Sequence, residues 1–213
     1  MKHRSISRWV ARLLVAMGML GMSAAYCADE APDALVKRLS TDVLAAIKAD
    51  AAVQAGDTAK IVSLVDNRVM PYVNFQRMTA SAVGPGWRQA TPEQKQRLQD
   101  EFKILLVHSY AGALGQVGDQ SITVKPLRAA PDDADVLVRT EIRGHGDPIQ
   151  LDYRLEKTPG QGAGWKIYNL NVMGVWLVQN YLSQFSQEIN AKGIDGLIAK
   201  LVAMNKSNNA KKS

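Results

Sequence analysis

The side chains that could carry covalent or metal chemistry are few and scattered. Cys27 is the single cysteine of 213 residues, so it has neither a disulfide partner nor a second thiolate to share a metal. His108 falls inside a helical stretch, where it reads as an ordinary packed or surface side chain. His145 falls in the turn Gly144-His145-Gly146-Asp147 and reads as a solvated turn residue. Two histidines on separate elements make a poor metal site. No G-x-S-x-G, H-E-x-x-H or Walker pattern occurs. Gly160-Gln161-Gly162-Ala163-Gly164-Trp165-Lys166 has the composition of a phosphate loop. Such loops open a helix whose first amides hold the anion, whereas this one opens a strand and reads as a hairpin turn. No metal and no cofactor are expected.

A different chemistry fits the aromatic and methionine positions. Tyr72, Phe75, Met78, Trp87, Tyr110, Tyr153 and Trp176 are dispersed over several elements. Singly each reads as core. Together, on helices and strands that must face one another, they suit an elongated apolar pocket. Such a pocket favours acyl chains, because each buried methylene contributes about 0.8 kcal/mol.

The elements that must position these residues follow from periodicity. Leu35, Leu39, Val43, Leu44 and Ile47 form one stripe of a helix over 31–54, ended by Gly56. Asp57 or Thr58 caps a second helix to about Val69, with Ile61, Leu64, Val65 and Val69 inward and Pro71 breaking it. Asn74 to Val83 is a short helix stopped by Gly84-Pro85-Gly86. Thr91-Pro92-Glu93-Gln94 is a capping box with proline at the first helical position. It starts a helix to about Leu114 whose wide apolar face (Leu98, Phe102, Leu105, Leu106, Tyr110, Ala113, Leu114) implies packing on more than one side.

From residue 120 the period becomes two. Ile122 and Val124 mark one strand, and Val136, Val138, Thr140 and Ile142 share a face of the next. Ile149, Leu151, Tyr153 and Leu155 share a face of a third, opposite Gln150, Asp152, Arg154 and Glu156. Trp165 to Val175 is read as the fourth. Short turns between them predict an antiparallel meander whose apolar face the helices cover. Two helices, about 176–191 and 194–205, close the chain, divided by Gly193.

The N-terminus has its own signature. Lys2, Arg4, Arg8 and Arg12 precede the 13-residue apolar run Leu13 to Ala25, with small residues at Ser23 and Ala25. The run is shorter than the roughly 20 residues a bilayer needs and has the length of a signal-peptide core. Cleavage is expected after Ala25, with Ala28 second; the bulky Tyr26 before Cys27 argues against a lipoprotein. The formal charge of +6 over the whole chain falls to +2 without residues 1–25, and to −1 without Lys206, Lys211 and Lys212 as well. The basic balance thus belongs to the two ends and makes no case for nucleic acid.

Three stretches together carry a resemblance. The first is Val73-Asn74-Phe75-Gln76-Arg77-Met78, then Gly84, Trp87-Arg88-Gln89-Ala90-Thr91, Gln94, Phe102 and Leu106 to Tyr110. The second is Val136-Leu137-Val138 with Ile149 to Leu155. The third is Trp165 to Leu170, Gly174-Val175, Leu177-Val178, Asn180-Tyr181, Gln184-Phe185, Gly193 and Leu197-Ile198. In this order they resemble the MlaC (toluene-tolerance) family of periplasmic phospholipid-binding proteins. Asn169, Met173, Trp176 and Leu182 stand where that family usually has Asp, Glu, Ser and Arg.

The resemblance implies an α+β fold: a four-stranded antiparallel sheet covered by helices, a nuclear transport factor two-like cone with added N- and C-terminal helices. It implies residues 1–25 as signal peptide, 26–205 as a lipid-binding domain and 206–213 as a disordered polar tail. It also implies a monomeric periplasmic carrier that is not an enzyme. Such a carrier shuttles phospholipid between an outer-membrane lipoprotein–porin complex and an inner-membrane ABC transporter with its substrate-binding hexamer, maintaining outer-membrane lipid asymmetry. The expected lipid-binding residues are Tyr72, Phe75, Met78, Leu106, Tyr110, Val136, Val138, Ile142, Ile149, Leu151, Tyr153, Val175, Trp176 and Tyr181. Cone folds also house small enzymes that use a buried carboxylate as general base. Here Asp135, Glu141, Asp152 and Glu156 alternate with the apolar face and are expected to point outward.

Overall fold

The computed structural model describes residues 30–114, 119–130, 132–144 and 147–210, with backbone only for 112–114, 209 and 210. The expected signal peptide, Cys27, His145 and residues 211–213 lie outside these. The helices come first: α1 (Pro32–Ala49), α2 (Ala51–Gln54), α3 (Thr58–Leu64), α4 (Phe75–Val83) and α5 (Pro92–Leu114). Strands β1 (Ser121–Val124), β2 (Asp135–Arg143), β3 (Ile149–Lys157), β4 (Trp165–Val172) and β5 (Val175–Trp176) follow, and then α6 (Leu177–Ala210).

The expected first helix is cut at Asp50, which leaves helical geometry (φ −120°, ψ 105°) and accepts hydrogen bonds from the Ala52 and Val53 amides. A short acid that bonds the backbone ahead of it starts a new helix rather than continuing the old one. Asp57 caps α3 in the same way. Before Pro71 the chain widens into a π turn (Val65–Val69) in which the Met70 amide reaches back to the Val65 carbonyl, and a 3₁₀ turn (Met70–Tyr72) follows. Proline offers no N–H for the regular ladder, so the bonds before it are rearranged. Both halves of the α5 capping box form: the Gln94 amide donates to Thr91 Oγ1 (3.2 Å), and the Thr91 amide donates to Gln94 Oε1 (3.0 Å).

The strands form one antiparallel sheet in the order β1-β2-β3-β4-β5. The expected fourth strand is in fact two, because Met173 (φ 51°) and Gly174 (φ 87°) turn the chain back at its end. Two consecutive positive φ values are what the tight primed hairpin turns use. A bulge opposite Arg154 and Leu155 inserts Tyr168 as an extra residue in β4. The side chains on the apolar face are therefore Trp165 and Ile167 before it, and Leu170 and Val172 after it.

One helical expectation shifts at the C-terminus. α6 bends at Gly193 (φ 71°, ψ −173°) as expected, but its second segment runs to Ala210 instead of 205. No glycine or proline stops it, and Asn205 is pinned to α5 by donating to the Glu101 carbonyl (3.0 Å) and carboxylate (2.8 Å).

Among the described residues, apolar packing separates into three clusters. The first lies between α4, α5 and α6, centred on Phe102, whose ring lies 5.8 Å from Phe75, 4.9 Å from Tyr181 and 5.3 Å from Phe185. The second joins Leu35, Val36 and Leu39 of α1 to Val136, Val138, Tyr153, Leu155, Trp165 and Ile167 of the sheet. The third is small: Ile47, Val53, Ile61, Val107 and Ala111.

Candidate apolar seam between sheet and helices

α1 closes only part of the apolar sheet face. The end carrying Val136, Val138, Leu155, Trp165 and Ile167 is buried. Toward the β4–β5 turn the same face carries Ile142, Leu151, Leu170 and Val172, which are half-buried. Their register is continuous: Thr140 opposes Leu151, Leu151 opposes Val172, and Tyr153 opposes Leu170. On the helical side, Leu106 and Tyr110 of α5, with Met70 and Val73 before α4, are half-buried too. Val73 packs against both the helical and the sheet cluster, and Val43 against both the sheet and the small cluster. Among the described residues, no α5 side chain belongs to the sheet cluster. The result is a seam: apolar side chains of two layers, each with its own core, joined by a rim of residues that neither core buries.

The expected lipid contacts fall into distinct groups. Leu106 and Tyr110 are half-buried on α5, and Ile142 and Leu151 are half-buried on the sheet. Tyr72, Val136, Val138 and Tyr153 belong to the sheet cluster under α1. Phe75, Met78 and Tyr181 sit in the close-packed helical core. Ile149 and Val175 are exposed at the turn end of the sheet. Trp176 lies on the polar face, with the Arg154 guanidinium 5.4 Å from its ring centroid. Sequence reasoning missed Val43, Met70, Val73, Leu170 and Val172. In the sequence Val43 is indistinguishable from the rest of its helical stripe. The β4 pair escaped because the bulge breaks strict alternation. Nothing short of tertiary packing marks Met70 and Val73.

The buried hydroxyls of the sheet face are hydrogen-bonded. The Tyr153 and Ser40 hydroxyls lie 3.4 Å apart, and Thr140 donates to the Leu151 carbonyl at 2.6 Å. Burial pushes the Tyr153 phenol up to about 12, against the lowering effect of those hydroxyls. Burial, and next the neighbouring Tyr181, raises the Tyr110 phenol. His108 is buried in α5, and among the described residues no group of three His, Cys, Asp or Glu side chains is placed to hold a metal.

The other sheet face differs from expectation. Asp152 does oppose the apolar face, but it is 3 % exposed instead of solvated. The short β5 places Trp176 in one row with Arg139, Asp152 and Asn171, and Gln150 donates to Asp152 Oδ2 at 2.6 Å. Farther along this face Arg77 pairs with Glu156 and Asp135 and lies 3.6 Å from the Tyr168 ring centroid. Burial, and then a hydrogen bond to Asp135, raises the Tyr168 phenol. Asn169 ties the face to α6: its Oδ1 accepts from the Val178 amide (3.2 Å), and its Nδ2 donates to Gln179 (3.0 Å). The carboxamide thus supplies an acceptor at the start of α6.

The chain is similar to known proteins in sequence and in fold. A phospholipid-binding protein of Ralstonia solanacearum, solved in complex with a phospholipid, superposes with a TM-score of 0.79 at 44% identity, covering 83% of this chain and 98% of that one. The intermembrane phospholipid transport system binding protein MlaC of Haemophilus influenzae is 23% identical over 198 residues, 92% of each chain. Toluene tolerance protein ttg2D of Pseudomonas putida is 28% identical over 184 residues, 84% of each. A family profile described as MlaC protein matches residues 37–203, the greater part of the sequence, and the chain therefore belongs to the MlaC family.

Proposed function

We propose that this protein is a periplasmic phospholipid carrier whose acyl chains lodge in the seam between the sheet and α5, with the headgroup toward solvent. The observation that carries the reading is the division of the apolar interior into separate cores bordered by half-buried Leu106, Tyr110, Leu151, Leu170 and Val172. A protein selected only for stability gains by merging such surfaces, at about 25 cal/mol per Å² of apolar area buried. A carrier leaves that area for its ligand. The solved relative that holds a phospholipid supports the same reading. Burial of each methylene contributes about 0.8 kcal/mol, so the seam holds a diacyl lipid by area alone and needs no metal, nucleotide or covalent step.

The wider role is proposed with it. Residues 1–25 direct export, 26–205 bind lipid, and the protein exchanges its load with an inner-membrane ABC transporter and an outer-membrane lipoprotein–porin complex, sustaining lipid asymmetry. Native mass spectrometry of protein purified from its own envelope tests the core claim. A mass increment of one or more phospholipids is expected. Protein that arrives lipid-free, and takes up none from vesicles, would refute it. The small-enzyme alternative has one observation to stand on, the buried Asp152. That carboxylate faces away from the seam, among Gln150, Asn171 and Trp176, so Asp152→Asn is expected to leave lipid loading intact.

A further inference from the structure

Among the described residues, the large apolar side chains left exposed are Ile149, Met173, Val175 and Met204. Three of these meet at one place. The Met173 amide donates to the Gln150 carbonyl (2.9 Å), next to Ile149, and Val175 opposes Val172 across the β4–β5 hairpin. Met173 is 70 %, Val175 50 % and Ile149 40 % exposed. Met173 is also the one non-glycine among the described residues with positive φ, at a turn position where Asn, Asp or Gly is the ordinary choice. The chain thus holds a methionine outward where both its backbone and its solvation are disfavoured, a combination that points to function.

We propose that this hairpin tip dips into the interface of a phospholipid bilayer. The inference builds on the carrier reading and goes beyond it, because it makes the protein touch lipid surface directly. Area decides against a protein partner. The three side chains together expose about 300 Å², far below the roughly 800 Å² per partner of a stable protein interface. A bilayer accepts apolar tips without a matching surface.

The groups behind the tip are arranged for the headgroup level. Trp176 follows Met173 by three residues, and the Arg154 guanidinium of the neighbouring β3 lies 5.4 Å from its ring centroid. Val175 and Trp176 run back from the Met173-Gly174 turn, so at about 3.3 Å per strand residue the indole lies roughly 7 Å behind the tip. Tryptophan and arginine with an apolar body and a polar end settle at that depth, and amphipathic elements bury by about 5–10 Å. Beside the tip, Glu141 opposes Gln150 and is paired with both Lys125 and Arg143, so these cations are committed to a carboxylate and attraction comes from apolar area and not from an anionic surface field. The tip also continues the lining of the seam: Ile149 leads to Leu151, and Val175 to Val172, on one face of the sheet. An acyl chain leaving the bilayer at the tip meets apolar side chains along its path.

The test uses vesicles of neutral phosphatidylcholine, with brominated acyl chains as quenchers, and the Met173→Asn/Val175→Thr double variant. Asparagine suits the turn and threonine the strand, so this variant folds at least as well as wild type. Wild type is expected to float with the vesicles at both low and high salt, and its fluorescence to be quenched by a component that Trp176→Phe removes. The double variant is expected to lose vesicle association by at least about tenfold with unchanged melting temperature. Flotation of the variant equal to wild type overturns the proposal. So does wild-type flotation that requires anionic lipid and vanishes in salt, which would assign the contact to basic groups elsewhere. Lipid content, read separately by native mass spectrometry, keeps the two ideas apart. Bound lipid without vesicle association sinks the tip and leaves the carrier, and vesicle association without bound lipid does the reverse.

Discussion

Leu151 and Val136 share one face of the sheet and one apolar cluster, yet they differ in burial. Val136 lies in the cluster closed by α1, whereas Leu151 is half-buried at the seam. Tryptophan at either position adds the same kind of bulk. Overpacking a closed core costs about 1–3 kcal/mol, and in a domain of this size each kcal/mol lowers Tm by about 2–4 °C. Val136→Trp is therefore expected to melt about 2–12 °C below wild type while keeping its lipid. Leu151→Trp is expected to melt within about 3 °C of wild type and to lose most of its lipid, because the indole occupies the space of an acyl chain. Melting is compared on delipidated protein, since bound ligand raises wild-type stability by mass action. Lipid occupancy is read by native mass spectrometry. Equal destabilisation of both variants, or a Leu151→Trp protein that still carries a full load, would refute the placement of the ligand at this end of the sheet.

Three further outcomes rest on single groups. Asn169→Ala removes both the acceptor at the Val178 amide and the bond to Gln179; a loss of about 1–2 kcal/mol is expected in denaturant unfolding, with Asn169→Asp close to wild type. The Tyr153 phenol is pushed up to about 12 from 10.0 in the folded protein. Its contribution is thus whole below pH 10 and is lost as pH rises through 12, because the unfolded chain ionises first; Tyr153→Phe should flatten the alkaline fall in stability over that window. Gly193 occupies φ 71° at the bend of α6 with open space around it, so Gly193→Ala is expected to cost about 1 kcal/mol through backbone strain alone, measured by thermal melting.

Much of the architecture follows from local chemistry that a sequence displays. Asn74 and Thr91 cap their helices by short-range bonds, Gly84 stops α4 and Gly193 divides α6, and the alternation in 136–142 and 149–155 sorts the sheet into faces, because period and capping act over a few residues. The family was legible as well, since the order of short matching stretches needs no coordinates. What only the tertiary structure decided depends on groups distant in sequence. The bulge at Tyr168 changes which β4 residues face the seam, and it exists only against β3. β5 exists because Met173 and Gly174 turn back onto β4, which buries Asp152 in a row with Trp176. Phe75 and Tyr181 read as pocket lining but close around Phe102, whereas Leu170 and Val73 line the seam. An apolar side chain looks the same to the sequence in either setting; whether a second layer packs it shut or leaves it for a ligand is decided by how the separately formed cores meet.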